Sequence, residues 1–228
     1  VITLSDPDDD RVRLCVRSVR PRNRATGDRG DPPGRASSTT VPMNLMHRRL
    51  CSSADWATKV AGRMPGDLAG VDLGDDVLEI GPGYGATTAV LLGQVPRLTA
   101  VEVDEASAAR LAAEYRGRAT IVHGDGTALP FEDGRFSAVV CFTMLHHVPS
   151  RALQDALFAE ARRVLRPGGV FRGVDSQPSL RFRLLHIGDT MVVVDPGTLP
   201  ARLTAAGFTE DPEVAVIDGR LRFTARTT

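Results

Sequence analysis

The stretch Val77–Thr88 reads VLEIGPGYGATT, an apolar run with one acid in it, followed by Gly81, Gly83 and Gly85. Glycine lets a chain turn tightly and lets another molecule come up against backbone. A loop of this kind between a strand and a helix sits at the carboxyl end of the strand, where open α/β sheets bind their ligands. The chemistry it suits is the holding of a cofactor. The acid in the run is Glu79. Further acids follow at Glu102, roughly 20 residues beyond the first glycine, and at Asp125 in HGDGTALPF. The plain alternative, an ordinary glycine-rich turn, is disfavoured because the flanking strand and helix that a cradle requires are both predicted here.

The type of cofactor is a separate question. The loop also satisfies the looser dinucleotide pattern G-x-G-x-x-A, ending at Ala86, with Glu102 placed to accept hydrogen bonds from ribose hydroxyls. Nicotinamide and adenosyl cofactors both carry that ribose, so Glu102 does not separate them. Glu79 does: a carboxylate near the cradle repels a pyrophosphate and tolerates a cationic or zwitterionic ligand. Asp125 adds a carboxylate able to accept from an adenine amino group.

Candidate catalytic groups lie farther along. His146 and His147 in TMLHHVP follow the predicted fourth strand, and a neutral imidazole there is a candidate general base; capping of the strand-to-helix loop is the structural alternative. Cys141 sits in an apolar strand, where a free thiol is usually inert core. His47, His123 and His186 show no pattern and are expected to be structural. Cys15, Cys51 and Cys141 are odd in number and far apart, and no C-x-x-C occurs. No disulfide framework and no metal site is therefore expected, and a reducing, cytoplasmic location fits.

Elements that alternate must position these groups. Strands are predicted at 77–80, 98–103, 119–123, 136–142, 170–174, 214–217 and 220–225. Helices are predicted at 86–92, 105–115, 151–165, 180–187 and 199–206. Asp218–Gly219 marks a hairpin turn, and Gly207 a helix end. The alternation describes an α/β fold: a doubly wound, mostly parallel sheet with helices on both faces, closed by an antiparallel hairpin. Ahead of it, residues 43–66 read as one or two short amphipathic helices broken near Ser52–Asp55, with Pro65–Gly66 ending the unit.

Acids and bases balance at 28 each in 228 residues, so no global field points to nucleic acid, and no apolar run is long enough for a membrane span. Nearly all the bases are arginine, a mark of a GC-rich bacterial genome. Residues 1–42 lack apolar periodicity after Val19 and accumulate Pro, Gly, Ser and Arg, the composition of a disordered leader. Met43 is an alternative natural start, which peptides from residues 1–42 in the native protein would exclude. Nothing in the sequence speaks to oligomeric state.

VLEIGPGYG, VEVD, GDGTALPF, FSAVVCFTMLHHV and EARRVLRPGGVF occur in order. Together they resemble the class I S-adenosylmethionine-dependent methyltransferases, especially the group related to ubiquinone and menaquinone biosynthesis. The resemblance is strong over residues 75–175 and holds in outline to 225. It implies a Rossmann-like fold with seven strands in the order 3-2-1-4-5-7-6, a methyltransferase domain over 43–228 and a catalytic core over 75–228. It implies S-adenosylmethionine as cofactor: Gly81, Gly83 and Gly85 near its methionine moiety with Glu79 close by, Glu102 on the ribose, Asp125 and Gly126 at the adenine, and Phe142 and Thr143 at the methyl end. A small or medium-sized organic acceptor is expected, bounded by the N-terminal helices with Trp56 and by SLRFRLLHIGDTMVVVD after the fifth strand. A nicotinamide-dependent oxidoreductase and a non-catalytic adenosyl-binding module are the competing readings.

Overall fold

The computed structural model describes residues 44–189, 191–209 and 211–228; the expected leader lies outside them. Strands are β1 (Asp76–Ile80), β2 (Arg97–Glu102), β3 (Thr120–His123), β4 (Phe136–Phe142), β5 (Leu165–Ser176), β6 (Glu213–Ile217) and β7 (Arg220–Arg226). Helices are α1 (Leu45–Cys51), α2 (Ala54–Asp67), α3 (Ala86–Leu91), α4 (Glu105–Glu114), α5 (Arg151–Val164), α6 (Leu180–Leu185) and α7 (Leu199–Ala205). One seven-stranded sheet runs β3-β2-β1-β4-β5-β7-β6. All pairs are parallel except those of β7 with β5 and β6. The predicted fold, strand order and hairpin closure are all present.

The central strands show why a continuous apolar run is needed. Every residue of β4 is buried. Its side chains alternate between two cores: Ala138, Val140 and Phe142 join Val77 of β1 and Val60 and Met64 of α2, while Val139 and Cys141 join Leu78, Ile80 and Phe158 of α5. A strand with helices on both faces must be apolar at both parities. At Gly173 of β5 an added Cβ would lie 2.1 Å from the Phe223 ring and 3.1 Å from Cys141 Sγ, so the glycine there makes room for a ring of the core.

The hairpin turn has Asp218 and Gly219 both at positive φ, 51° and 70°, the twist that matches two antiparallel strands. Several boundaries depart from the sequence reading. Pro65–Gly66 does not end α2, which runs on to Asp67 with Pro65 inside it. The residues past the proline are anchored: Asp67 is buried and bonded to Arg220 at 2.8 Å, and the Leu68 N–H closes the last turn on Met64. The fifth strand starts at Leu165 rather than Val170, since Leu165 pairs with Phe136 before residues 166–169 bulge out and pairing resumes at Ala138–Val170. Helix α6 stops two residues short of the predicted end.

Candidate functional site

The three glycines do different jobs. All have positive φ: 70° at Gly81, 55° at Gly83 and 84° at Gly85. A Cβ on Gly85 would lie 2.7 Å from Leu111 and 3.1 Å from the Tyr115 ring, and one on Gly81 would lie 3.1 Å from Met144. At Gly83 a Cβ would meet nothing within 4 Å. Gly81 and Gly85 therefore permit close packing, and Gly83 presents backbone to open space. The loop is pinned from α4: Arg110 donates to the Gly83 carbonyl at 3.0 Å, and the Tyr115 hydroxyl donates to that of Gly85 at 3.1 Å.

Glu102 ends β2 and completes the clamp. One of its oxygens accepts the Gly83 N–H at 2.9 Å and the other the Asp104 N–H at 3.0 Å. Each carboxylate oxygen has a second lone pair, so the same group can accept ligand hydroxyls while holding the loop. Glu79 is wholly buried in β1. It accepts the hydroxyls of Thr87 and of Thr88, the latter at 2.6 Å, and so orients the start of α3 through side chains. Burial pushes its carboxyl up to about 7; the two threonine hydroxyls oppose this and the Glu102 charge adds to it. Asp125 is exposed after β3, with one oxygen accepting both the N–H and the hydroxyl of Thr127 at 2.8 Å. Its other oxygen has no hydrogen-bond partner among the described residues. Gly126 follows, and a Cβ on it would lie 2.8 Å from Ile80.

Phe142 ends β4 in the core. Thr143 has φ 56°, a conformation that strains a β-branched residue by about 1–3 kcal/mol, and its N–H is held on the Val174 carbonyl at 2.7 Å. Beside it opens a cleft of about 140 Å³ lined by Trp56, Arg63, Met64, Thr87, Phe142, Thr143 and Arg220, among others. A larger hollow of about 320 Å³ lies by the α2–β1 connection, near Pro65 and Gln94. That is the opposite end of β1, away from every candidate residue.

A 3-10 turn, Leu145–His147, follows Met144. His146 is buried. Its Nδ1 lies 2.5 Å from Asp175, whose other oxygen accepts the His146 backbone N–H. His146 Nε2 lies 3.2 Å from Nε2 of His186, and the Nδ1 of His186 donates to the Phe182 carbonyl at 2.7 Å. Burial lowers the pKa of His186, the Phe182 carbonyl opposes that, and His146 and His47 add to the lowering. His147 is half-buried, its ring 4.1 Å from that of His146, 5.2 Å from His47 and 5.4 Å from His186. Four of the five histidines thus form one cluster, where the sequence reading set His47 and His186 aside. His123 stands apart at the end of β3, near the Val103 carbonyl.

The two segments expected to bound the acceptor meet at this cluster. On the α1 side, Asn44 donates to Asp189 at 2.6 Å and to the Leu185 carbonyl at 2.8 Å, and His47 Nδ1 lies 2.9 Å from Asp189. On the sheet side, the Val192 N–H donates to the His146 carbonyl at 2.8 Å, and Gln154 bridges the carbonyls of Leu145 and Val192. Cys141 is wholly buried and its thiol is held well above its ordinary pKa, so it is core. Sequence reasoning missed Met144, Asp175, Arg110 and Tyr115. Only the first carries a local signal, its place beside the histidine pair.

The residues fit an adenosyl cofactor. Gly83 faces open space, Glu102 keeps lone pairs for a ribose, and the exposed Asp125 keeps a carboxylate oxygen for an amine.

Residues 78–172 match the family described as a methyltransferase domain. A probable S-adenosylmethionine-dependent methyltransferase of Mycolicibacterium smegmatis is 38% identical over 98 residues, covering 43% of this chain and 37% of its own length. The ribosomal RNA small subunit methyltransferase A of Laribacter hongkongensis is 39% identical over 93 residues, covering 40% of this chain and 35% of its own. The chain thus spans little more than a third of the length of either relative. An amino pentose methyltransferase of Micromonospora echinaspora, solved with S-adenosylmethionine bound, shares the fold with a TM-score of 0.56 at 20% identity, over 76% of this chain and 91% of its own. No described helix is long and apolar enough to cross a membrane. Residues 78–172 thus match a methyltransferase domain, and they lie in a sheet with the strand order of a Rossmann-like, S-adenosylmethionine-binding methyltransferase fold.

Proposed function

We propose that this protein methylates a small or medium-sized organic acceptor. The observation that carries the reading is the cleft beside Thr143. It is enclosed by α2, the ends of β4 and β5 and the β6–β7 turn, and at about 140 Å³ it admits a compact group rather than a duplex or a long strand. Its lining mixes Trp56, Val60, Met64 and Phe142 with Arg63, Asp67, Asp218 and Arg220, a surface that suits an apolar body with one polar handle.

When bound, S-adenosylmethionine supplies a methyl group already activated on a sulfonium. The chain's own residues hold and align. Gly81, Gly83 and Gly85 form the cradle, with Glu79 setting the start of α3 behind it. Glu102 takes the ribose hydroxyls, and Asp125 and Gly126 the adenine. Phe142 and Thr143 border the methyl end. Alignment of two reactants in one cleft supplies much of the rate in such a transfer. Where the acceptor must lose a proton, His147 is the candidate base. His146, oriented by Asp175, is then a positioning residue for the turn that carries both.

The test has two stages. Titration calorimetry with S-adenosylmethionine, S-adenosylhomocysteine and NADH should show binding of the two adenosyl compounds at about −8 kcal/mol, the value for micromolar affinity, and none of NADH. Glu102→Ala and Asp125→Ala should each weaken that binding by roughly 1–3 kcal/mol. Transfer of a labelled methyl group into a fraction of small organic extract, and not into small-subunit ribosomal RNA, is the expected outcome of the second stage. Label in the RNA alone would replace the small-molecule reading with the acceptor named for the relative from Laribacter.

A further inference from the structure

Ligand nitrogens of three histidines come together, and the far nitrogens of His47 and His186 are already committed. His47 uses Nδ1 on the Asp189 carboxylate at 2.9 Å, leaving Nε2. His186 uses Nδ1 on the Phe182 carbonyl at 2.7 Å, leaving Nε2. A carboxylate or a backbone carbonyl on the far nitrogen is the usual way a protein aims an imidazole at a metal. His147 completes the set: one ligand nitrogen from each of His47, His147 and His186 lies within 4.8 Å of the other two. His47 and His186 are buried, and His147 is half-buried.

His186 donates through Nδ1, so when neutral it offers only a lone pair at Nε2. That lone pair faces Nε2 of His146 at 3.2 Å, while Nδ1 of His146 faces Asp175 at 2.5 Å. A metal ion taken up at Nε2 of His186 would replace that contact with His146. Two buried carboxylates, Asp175 and Asp189, stand behind the cluster with side chains 1% exposed, ready to balance added positive charge.

We propose that His47, His147 and His186 form a binding site for a divalent transition-metal ion of the zinc class, which clamps α1 and the segment after α6 to the turn that follows β4. Three neutral imidazoles suit zinc, copper, nickel or iron better than calcium or magnesium. Tetrahedral zinc with nitrogens at about 2.0–2.1 Å sets ligand pairs roughly 3.3 Å apart, so side-chain rotations draw the present spacing inward. The fourth position is left to water or to an acceptor heteroatom. This deepens the proposed function, because the clamped turn continues from Thr143, which lines the acceptor cleft. It also makes the roles of His147 exclusive, since a metal-bound imidazole has no lone pair for a proton.

The test uses the full chain without an affinity tag, stripped with a chelator and titrated with Zn2+ alone, then with Co2+ for its visible spectrum. One equivalent of Zn2+ and the intense absorption of low-coordinate Co2+ are expected. His47→Gln, His147→Gln and His186→Gln should each weaken binding at least tenfold, and Asp189→Asn about tenfold. His123→Gln, outside the cluster, should leave it unchanged. Far-UV circular dichroism of each variant separates loss of the site from loss of fold, and Asp189→Asn retains all three ligands should one histidine variant unfold. Absence of a stoichiometric site, or binding that survives both His47→Gln and His186→Gln, overturns the proposal. Binding of S-adenosylmethionine to the stripped protein, measured in parallel, tests the methyl-transfer reading separately.

Discussion

Replacing Glu79 with glutamine should change how stability depends on pH in one defined window. The carboxyl lies fully inside the sheet, and burial moves its pKa from 4.5 to about 7. At about 1.4 kcal/mol per pH unit, that difference corresponds to roughly 3 kcal/mol. In the unfolded chain the group ionises above 4.5; in the native state it ionises only near 7. Between those values the native state binds more protons, so the contribution of Glu79 to stability falls as pH rises. Below 4.5 both states are protonated and above 7 both are ionised, so the contribution is flat on either side. Glutamine removes the titration. It keeps one carbonyl for a threonine hydroxyl and gives up the second bond, a loss of about 1 kcal/mol. Without ligand, the variant should therefore be more stable than the parent by about 2 kcal/mol at pH 8, with the advantage gone or reversed at pH 4.5. Urea unfolding of both proteins at pH 4.5, 6, 7 and 8 reads this directly. Parallel curves across the window would refute the idea that the buried carboxyl titrates there.

Three further outcomes follow from the packing. Gly83→Ala should lower affinity for S-adenosylmethionine with a stability loss of only about 1–2 kcal/mol from its positive φ, because nothing stands where the methyl would go; calorimetry and urea melts on one variant read both. Gly85→Ala should cost more stability than Gly83→Ala, since its methyl meets Leu111 at 2.7 Å and overpacking adds about 1–3 kcal/mol; equal midpoints for the two would count against the division of roles in the loop. Gly173→Ala drives a methyl into the Phe223 ring and should lower the urea midpoint by the equivalent of at least about 3 kcal/mol while leaving cofactor affinity per folded molecule unchanged.

The lids of the site show where local signals stop. Ser53, inside the predicted break at Ser52–Asp55, accepts the Trp56 N–H at 3.2 Å, and Asp104 caps α4 through Ser107; such bonds span three residues, within reach of local spacing. Pro65 misled because a proline's local cost is outweighed when the residues beyond it are buried, as Asp67 is between Arg220 and Arg222. Glu79 was legible as an acid in the wrong place for a pyrophosphate, while its partners, Thr87 and Thr88, became visible only when α3 folded back over β1.

The sequence by itself determined the sheet, its strand order by resemblance, the glycine cradle and the acids at the ends of β1, β2 and β3. These are signals of period, turn chemistry and motif spacing, each contained in a short stretch of chain. Tertiary structure alone decided the histidine cluster. His47 precedes the sheet, His146 and His147 follow its fourth strand, and His186 follows its fifth; no periodicity relates positions so far apart. They meet because Asp189 ties α1 to the segment after α6, and because Asp175 and Gln154 tie the turn after β4 to the same place. A contact made by side chains from three separate elements leaves no trace in the spacing of any one of them.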